Sequence, residues 1–382
     1  MSAEFDFDHP PDRRGTDSRK WARYGGRDVL PLWVADMDFA SPPCVIEALH
    51  ARVDHGVFGY GDPPASLSEA VVGALAEDFQ WDVRPEWLVW LPGLVPGLNA
   101  ACRAVGAGGD AVLTAVPIYP PFLTAPFFSD RACIRVPLAL SGDRWHWDVD
   151  ALRAAITPRT RLLMLCSPHN PVGRAWSREE LLAVARIAEE RDLVVCSDEI
   201  HADLILAPGR RHIPFASLDP ALAERTITLM APSKTYNIPG LGCSFAIVSN
   251  AGLRRQLRHA LRGIVPDVNV LGFAATEAAY RHGGAWRRAL REYLRGNAAL
   301  VHEQINDTPG LSTTPVEATY LAWVDARGLG HADPHAHFER AGVGLSRGED
   351  FGAPGYVRIN FGCSRALLRE ALSRIRRAAA ES

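Results

Sequence analysis

The amino-acid sequence predicts an α/β protein with a large domain and a smaller α+β domain. The large domain is expected to hold a mostly parallel sheet covered by helices on both faces. Two observations indicate this. From residue 46 to about residue 275, short continuous apolar runs alternate with segments of helical period, which is typical of parallel strands buried on both faces. From residue 276 to residue 382, long Arg- and Ala-rich helical segments precede two short strand-like runs, and a chain of 382 residues exceeds the usual size of one domain.

Residues 1–45 are rich in Pro, Gly and charge, and are predicted to form an N-terminal arm that completes part of the small domain. The clearest helix is expected over residues 177–192, because Ser177 can cap it and Glu180 completes a capping box. The apolar runs predict strands of the large domain at residues 88–91, 111–116, 161–166, 193–197, 226–230 and 243–249, and strands of the small domain within 318–326 and 356–362.

Composition excludes several classes of protein. The chain is 47% hydrophobic and 22% charged with a formal net charge of −3, which predicts neither nucleic acid nor a membrane surface as partner. No apolar run approaches the roughly 20 residues of a membrane span. The N-terminus is too polar for a secretory signal, and the seven cysteines form no CxxC pair. We therefore expect a cytoplasmic protein with reduced thiols.

Lysine is rare in this chain. Of 41 basic residues only Lys20 and Lys234 are lysines, so 41 − 2 = 39 are arginines. Arginine stays protonated, whereas lysine shifts its pKa readily and can form Schiff bases. Lys234 lies between two apolar runs, where a lysine without a partner or a chemical task is uncommon. We therefore predict a catalytic Lys234 and an ordinary surface lysine at position 20.

Polar residues follow three of the predicted parallel strands, and the carboxyl ends of such strands meet at one edge of the sheet. They are Asn170, then Asp198 and His201, then Ser233 and Lys234. A lysine amine can hold pyridoxal 5′-phosphate (PLP) as an imine, and a carboxylate can keep its pyridine nitrogen protonated so that the ring accepts electrons. An amide can donate to the ring oxygen. The sequence therefore predicts a PLP site.

The chain also resembles a known family. The stretches "SPHNPVGR", "SDEIHADL" and "APSKTYNIPGL", in this order and spacing, are similar to the fold-type I PLP enzymes of the class I/II aminotransferase superfamily, and in particular to its cystathionine β-lyase-type C–S lyase branch. Further matches cover nearly the whole chain: "PLWVADMDFASPP", "FGYGDPP", "LPGLVPGL", "PIYPPF" and "YVRINFGCSR". The resemblance implies an aspartate aminotransferase-like fold.

The resemblance also implies roles for individual residues. Lys234 resembles the Schiff-base lysine and the base that removes the Cα proton, while Asp198 resembles the partner of the pyridine nitrogen. Tyr119 resembles the aromatic residue that stacks on the ring and could protonate a leaving group. The remaining implied cofactor contacts are Asn170 and His201 at the ring oxygen and, at the phosphate, Ser233, the backbone of Leu94 and Val95, and Tyr60 from the neighbouring subunit of a homodimer.

Arg358 resembles the clamp for the substrate α-carboxylate, with the backbone near Ala35 closing over it and Asn170 close by; Arg347 and Arg365 compete for that role. His201 is equally well explained as a supporting residue, since many relatives place a Tyr there. Gly242 stands where many aminotransferases carry a phosphate-binding arginine, and Ala231 where relatives often carry a serine. No metal is expected, although "HADPHAHF" at residues 331–338 offers three histidines.

The resemblance therefore implies a PLP-dependent β-elimination on L-cystathionine or another S-substituted L-cysteine, giving a thiol, pyruvate and ammonia. The first alternative is an aminotransferase acting on an L-amino acid, because the two reactions share their early steps. The second alternative is a regulator that keeps the fold and has little catalysis.

Overall fold

The computed structural model describes residues 5–381. Within them the helices are α1 Arg19–Ala22, α2 Pro43–Asp54, α3 Ala65–Phe79, α4 Leu94–Ala104, α5 Pro121–Phe128, α6 Val149–Ala155, α7 Arg178–Glu190, α8 Pro220–Ala223, α9 Ala251–Leu261, α10 Val270–His282, α11 Gly284–Asn306, α12 Pro334–Arg340 and α13 Arg365–Ala380. The strands are β1 Leu30–Pro31, β2 Leu88–Leu91, β3 Ala111–Val116, β4 Ala132–Pro137, β5 Ala139–Ser141, β6 Arg144–His146, β7 Thr160–Cys166, β8 Val194–Asp198, β9 Thr226–Met230, β10 Ser244–Ile247, β11 Ser312–Thr313, β12 Leu321–Asp325, β13 Val343–Gly344, β14 Ser346–Arg347 and β15 Tyr356–Asn360.

A seven-stranded sheet in the order β2-β10-β9-β8-β7-β3-β4 forms the centre of the molecule. Strands β9, β8, β7, β3 and β4 pair in parallel, whereas β10 is antiparallel to both of its neighbours. Alternate residues of β7 point to opposite faces: Leu162 and Met164 pack in one apolar cluster, and Leu163 and Leu165 in another. The first cluster includes residues of α4, α5 and α9, and the second includes residues of α6, α7 and α8. The predicted α/β fold with helices on both faces is confirmed.

A second sheet, in the order β11-β12-β15-β14, is antiparallel throughout. It packs with α11, α12 and α13 in a separate apolar cluster that also takes in Phe7, Leu32 and Phe39 of the N-terminal arm. The arm is joined to this region by the parallel pairing of β1 with β13. The division at residues 45/46 and 275/276 stays a prediction, and α10 runs continuously through position 275.

The expectation for Lys20 was wrong. Its side chain is 0% exposed, and Nζ lies 2.9 Å from a carboxylate oxygen of Asp38. Asp38 also accepts hydrogen bonds from the guanidinium of Arg13 and the indole of Trp21. Lys20 therefore anchors α1 to the segment around Asp38 by a buried ion pair. The two residues are 18 positions apart in the sequence, so the contact exists only once the arm has folded.

No helix within residues 5–381 combines the length and the apolar character that crossing a membrane requires.

Candidate active site

A cavity of about 490 Å³ lies at the carboxyl end of the parallel strands. Strands β7 and β8 end there at Cys166 and Asp198, and the segment after β9 carries Lys234. The small sheet forms the facing wall through β14 and β15. Of the residues selected from the sequence, those that line the cavity are Ala35, Leu94, Val95, Tyr119, Asn170, Asp198, His201, Ser233, Lys234 and Arg358.

Lys234 reaches across the cavity toward the N-terminal arm. Its Nζ donates a hydrogen bond to the carbonyl oxygen of Ala35 at 2.6 Å, and the Tyr320 hydroxyl donates to the same oxygen at 3.0 Å. Burial lowers the pKa of the Lys234 amine to about 8, and the charge of Arg358 acts in the same direction. A substantial fraction of this amine is therefore neutral near physiological pH, as a nucleophile requires.

Asp198 is a buried carboxyl group with little to stabilise its charge. One carboxylate oxygen accepts a hydrogen bond from the backbone N–H of Ile200 at 3.1 Å, and burial raises the pKa of Asp198 to about 7. Among residues 5–381 no cationic side chain lies within ion-pair distance of it. A positively charged ring nitrogen would supply the missing counter-charge.

His201 is 2% exposed, and burial lowers its pKa to about 3, so its ring is neutral. Its Nδ1 is buried without a hydrogen-bond partner among the described residues. The ring meets that of Tyr320 edge-on at 6.0 Å between centroids. His201 therefore has a free ring nitrogen in the cavity wall, but whether it contacts a cofactor stays a prediction.

Arg358 of β15 is held by three acceptors. Nη1 donates to the side-chain oxygen of Asn170 at 2.9 Å, and Nη2 donates to the carbonyl oxygen of Trp33 at 2.8 Å and to the Ser346 hydroxyl at 3.2 Å. The guanidinium lies over the ring of Phe351, 4.8 Å from its centroid. Burial lowers the pKa of Arg358 to about 10, which leaves the group charged at neutral pH, and Nε has no partner among the described residues.

Because the Asn170 side-chain oxygen accepts from Arg358, its amide NH₂ group is left to donate to a bound molecule. The Tyr119 backbone N–H donates to the Asn170 carbonyl oxygen at 3.1 Å, which ties the two residues together. Burial raises the pKa of the Tyr119 phenol, although Arg358 opposes this shift, so the hydroxyl is protonated at neutral pH.

Helix α4 begins at Leu94 beside the cavity. Its N-cap is Gly93, no side chain caps it, and its first turn carries no acidic residue. The backbone N–H groups of Leu94 and Val95 are therefore available to an anion, as a phosphate site requires. Gly242 lines the same region at a φ of +57°, a left-handed conformation that a side chain rarely adopts.

The two arginines that compete with Arg358 for the carboxylate clamp lie in different places. Arg347 lines the mouth of the cavity, whereas Arg365 stacks on Tyr293, 4.4 Å from the ring centroid. His335 also lines the cavity, and His337 contacts the Ala378 carbonyl oxygen at 3.0 Å. Within the part of the chain that the structure describes, no group of three or more metal-binding side chains is gathered.

Tyr60 lies outside the cavity. Its side chain is fully exposed in the segment that follows α2, close in sequence to the exposed residues Val57 and Phe58. Its predicted contribution to a neighbouring subunit stays a prediction.

The sequence did not reveal several residues that line the cavity or support its wall. Trp33 lies in a stretch already noted for its resemblance, and its carbonyl oxygen holds Arg358. Tyr320 lies directly before β12, within a predicted strand, but no pattern distinguishes its hydroxyl from that of another buried tyrosine. The cavity mouth also includes Arg19 and Arg23, which the sequence presents as two of many arginines.

The residues present fit PLP on structural grounds. The cavity offers an amine of lowered pKa, a buried carboxyl group without a cationic partner, an unpartnered ring nitrogen and an uncapped helix N-terminus. These correspond to the aldehyde, the pyridine nitrogen, the ring oxygen and the phosphate of that cofactor.

The family model "Aminotransferase class I and II" matches residues 27–375. The chain is 38% identical to cystathionine beta-lyase PatB of Bacillus subtilis (strain 168), over 97% of this chain and 99% of that protein. It is 33% identical to Protein MalY of Escherichia coli (strain K12), over 97% of both chains.

Solved structures are similar to this chain over nearly its whole length. A crystal structure of OvoB is 48% identical, covers 99% of this chain and 100% of its own, and has a TM-score of 0.97. Cystalysin from Treponema denticola, whose structure contains PLP, is 33% identical with a TM-score of 0.94 over 99% of each chain. The family match and these likenesses extend over nearly the whole length, and the chain belongs to the class I and II aminotransferase family.

Proposed function

We propose that this protein is a PLP-dependent carbon–sulfur lyase. It converts an S-substituted L-cysteine, L-cystathionine among them, and water to a thiol, pyruvate and ammonia. The observation that carries the proposal is the position of Lys234, an amine of lowered pKa, in one cavity with Asp198 and Arg358. The choice of β-elimination within the family is supported by the relatives named cystathionine beta-lyase and by the absence of an arginine at position 242.

The cofactor is held by residues of the large domain. Lys234 would form the covalent link, Asp198 would pair with the pyridine nitrogen, and the N–H groups of Leu94 and Val95, with the Ser233 hydroxyl, would bind the phosphate. The Asn170 amide and His201 would contact the ring oxygen, and Tyr119 would contact the ring. When bound, PLP supplies an aldehyde that links to amines and a ring that accepts electrons from Cα of an amino acid.

Arg358 orients the substrate. Its guanidinium is already fixed by Asn170, Trp33 and Ser346, so little side-chain freedom is lost when a carboxylate binds. The unpartnered Nε shows that the hydrogen-bonding capacity of the group is not exhausted. The carbonyl oxygen of Ala35 accepts a hydrogen bond from Lys234. The backbone group of Ala35 that could donate to the substrate carboxylate is its N–H.

Lys234 moves the proton. With the substrate bound, its Nζ would take the proton from Cα, for which a pKa of about 8 is suited. The Tyr119 hydroxyl, protonated at neutral pH, is positioned in the same wall to give a proton to the departing sulfur. The thiol then leaves, and hydrolysis of the remaining fragment gives pyruvate and ammonia.

Incubation with L-cystathionine and no added keto acid tests the reaction. Release of thiol and pyruvate in equal amounts is expected, and Lys234→Ala should abolish it. Borohydride reduction and peptide mapping should place the reduced cofactor on Lys234, with the Lys20 peptide as the unlabelled control. Turnover only in the presence of a keto acid would identify an aminotransferase. Purified protein with neither turnover nor a visible absorbance band would favour the non-catalytic regulator.

We further propose a homodimer in which Tyr60 completes the neighbouring site. Its complete exposure beside the exposed Val57 and Phe58 supports this arrangement, since a contiguous group of exposed apolar side chains is typical of an interaction surface. A cytoplasmic location is also proposed, because all seven cysteines are free.

A further inference from the structure

The outer part of the cavity carries more positive than negative charge. Arg19, Arg23 and Arg347 line it, together with one carboxylate, that of Asp350. The other charged lining groups, Lys234, Asp198 and Arg358, belong to the chemistry proposed above. His335 also lines this part, but burial lowers its pKa and it is neutral at physiological pH. The mouth therefore has an excess of guanidinium groups that the reaction itself does not use.

Two of these arginines come from one turn of helix. Arg19 begins α1, and Arg23 follows it in helical conformation, with φ of −55° and ψ of −31°. Residues four apart lie on the same face of a helix, so both side chains are directed to the cavity. The intervening Lys20 is buried against Asp38 on the other side and holds the turn in place.

The positive charges of α1 are not neutralised. Among the described residues no carboxylate lies within ion-pair distance of Arg19 or Arg23, whereas Arg347 has Asp333 at 3.4 Å and Glu349 at 3.8 Å. The Arg23 guanidinium lies over the Trp33 ring, 4.5 Å from its centroid. That contact fixes the guanidinium plane while leaving its N–H donors unused.

The arginines are positioned close to the α-carboxylate clamp. The carbonyl oxygen of Trp33, whose ring carries Arg23, accepts from Arg358 at 2.8 Å. Arg347 directly follows Ser346, which pairs with Arg358 in the small sheet and accepts from it at 3.2 Å. A substrate whose α-carboxylate is held by Arg358 therefore lies in a cavity that Arg19, Arg23 and Arg347 also line.

We propose that Arg19 and Arg23, with Arg347 beside them, form a subsite for an anionic group on the sulfur substituent of the substrate. The preferred substrates are then S-substituted cysteines whose substituent ends in a carboxylate or another anion. The inference rests on the proposed lyase function and narrows its substrate class. Arg19 and Arg23 act as specificity-determining residues and take no part in bond breaking.

Three substrates of similar size test the subsite in the holoenzyme: S-(2-carboxyethyl)-L-cysteine, its neutral amide S-(2-carbamoylethyl)-L-cysteine, and the cationic S-(2-aminoethyl)-L-cysteine. We expect kcat/KM to fall in that order, with the acid preferred over the amide by about tenfold, as two partly exposed charge-assisted hydrogen bonds would give. The preference should weaken as salt is added. Equal values, or the reverse order that dominance by Asp350 would produce, would overturn the inference.

The double variant Arg19→Gln/Arg23→Gln should remove the preference for the acid and leave kcat/KM for the neutral amide within about twofold. Arg255→Gln, an exposed arginine of α9 that does not line the cavity, is the matched control and should keep the preference. A double variant that retains the full preference would contradict the assignment. Absence of pyruvate with all three substrates would instead refute the lyase function, so the two failures are distinguishable.

A binding measurement separates recognition from turnover. Thiodipropionate has two carboxylates and no α-amine, so it cannot react, and its monoamide is the neutral partner. Calorimetry with the wild-type holoenzyme should give a Kd about tenfold lower for the diacid than for the monoamide. The difference should vanish in Arg19→Gln/Arg23→Gln and persist in Arg255→Gln. Equal affinities in the wild type would refute the subsite even if turnover differed.

Discussion

At the scale of single residues, burial controls protonation at the base of the cavity. Lys234 and Asp198 both have pKa values moved toward neutrality, to about 8 and about 7, and burial is the main cause for each. His201 is moved the other way, to about 3, so it stays neutral. Such shifts are typical of groups that take part in chemistry near neutral pH.

The lowered pKa of Lys234 predicts how the apoprotein captures PLP. Only the neutral amine attacks an aldehyde, so the initial capture rate should rise with pH up to about 8 and then level off. A free lysine amine, with an ordinary pKa near 10.4, would continue to gain at higher pH. Borohydride trapping followed by quantification of the Lys234 peptide measures the rate. A rate still rising steeply near pH 10 would contradict the prediction.

Asp198 predicts a conflict between stability and function in the apoprotein. Its folded-state pKa, about 7, lies above the ordinary value of 3.8, so the stability contributed by its protonated form is complete below about pH 4 and is lost as pH rises through 7. Asp198→Asn removes this dependence and should stabilise the apoprotein at pH 8, by up to about 4 kcal/mol, while turnover is lost. Denaturant unfolding at pH 5 and pH 8 measures the difference.

The control is Asp325→Asn. Burial alone would raise the pKa of Asp325, but hydrogen bonds from the guanidinium and the backbone N–H of Arg327 outweigh it and lower the pKa. Its replacement should therefore destabilise the apoprotein at pH 8, because these contacts stabilise the charged carboxylate. If both variants shift the free energy of unfolding in the same direction, the interpretation of Asp198 is wrong.

At the scale of elements, α1 is held by the ion pair of Lys20 with Asp38 rather than by its own length, since four residues form too short a helix to be stable alone. Lys20→Met leaves the Asp38 carboxylate buried with Arg13 and Trp21 as its only side-chain donors among residues 5–381. We expect a loss of about 3 kcal/mol in the free energy of unfolding. Chemical denaturation of the holoenzyme measures it.

Arg14→Met is the control for Lys20→Met. Arg14 pairs with Asp12 on the surface, at 3.1 Å with both side chains mostly exposed, so its loss should leave the unfolding midpoint almost unchanged. A Lys20→Met protein as stable as Arg14→Met would show that the buried pair does not hold α1.

Helix α7 shows how far an element can be predicted. Ser177 caps it and Glu180 returns the bond, so the predicted capping box is confirmed. The helix occupies residues 178–190 within the predicted 177–192. Local signals suffice here because every contact that defines the helix start lies within four residues. Helix α1 has a serine cap too, but its position depends on a residue eighteen positions away.

At the scale of the whole molecule, the cavity is assembled from both ends of the chain. Trp33 and Ala35 come from the N-terminal arm, Lys234 from the large sheet, and Arg358 from the small sheet. Hydrogen bonds from Lys234 to Ala35 and from Arg358 to Trp33 join the three parts. The active site therefore exists only in the complete fold.

The proposed dimer predicts complementation between two defective chains. Tyr60→Ala should weaken PLP binding by about tenfold, through loss of a charge-assisted hydrogen bond to the phosphate, and Lys234→Ala should be inactive. Co-expressed with distinct tags, purified as a mixed dimer and assayed at a PLP concentration too low to load Tyr60→Ala, the two should regain about half of the wild-type activity. One site then combines an intact Lys234 with an intact Tyr60 from the partner chain. Activity no higher than that of Tyr60→Ala would place Tyr60 outside the partner's site.

The sequence by itself determined the fold class, six of the seven strands of the large sheet and the convergence of Asn170, Asp198 and Lys234, but not β4. These follow from hydrophobic period and from the rule that parallel strands end at one edge, both of which can be read locally. The resemblance added Arg358 and Tyr119, which no local pattern distinguishes.

Only the tertiary structure decided which basic residues are buried and which line the cavity. In the fold Lys20 is buried, Arg19, Arg23 and Trp33 line the cavity, and the Tyr320 hydroxyl donates to the carbonyl oxygen of Ala35. The physical reason is that these roles depend on contacts between segments distant in sequence. The free energy of a charge is set by its surroundings in the fold, which residue type alone does not specify.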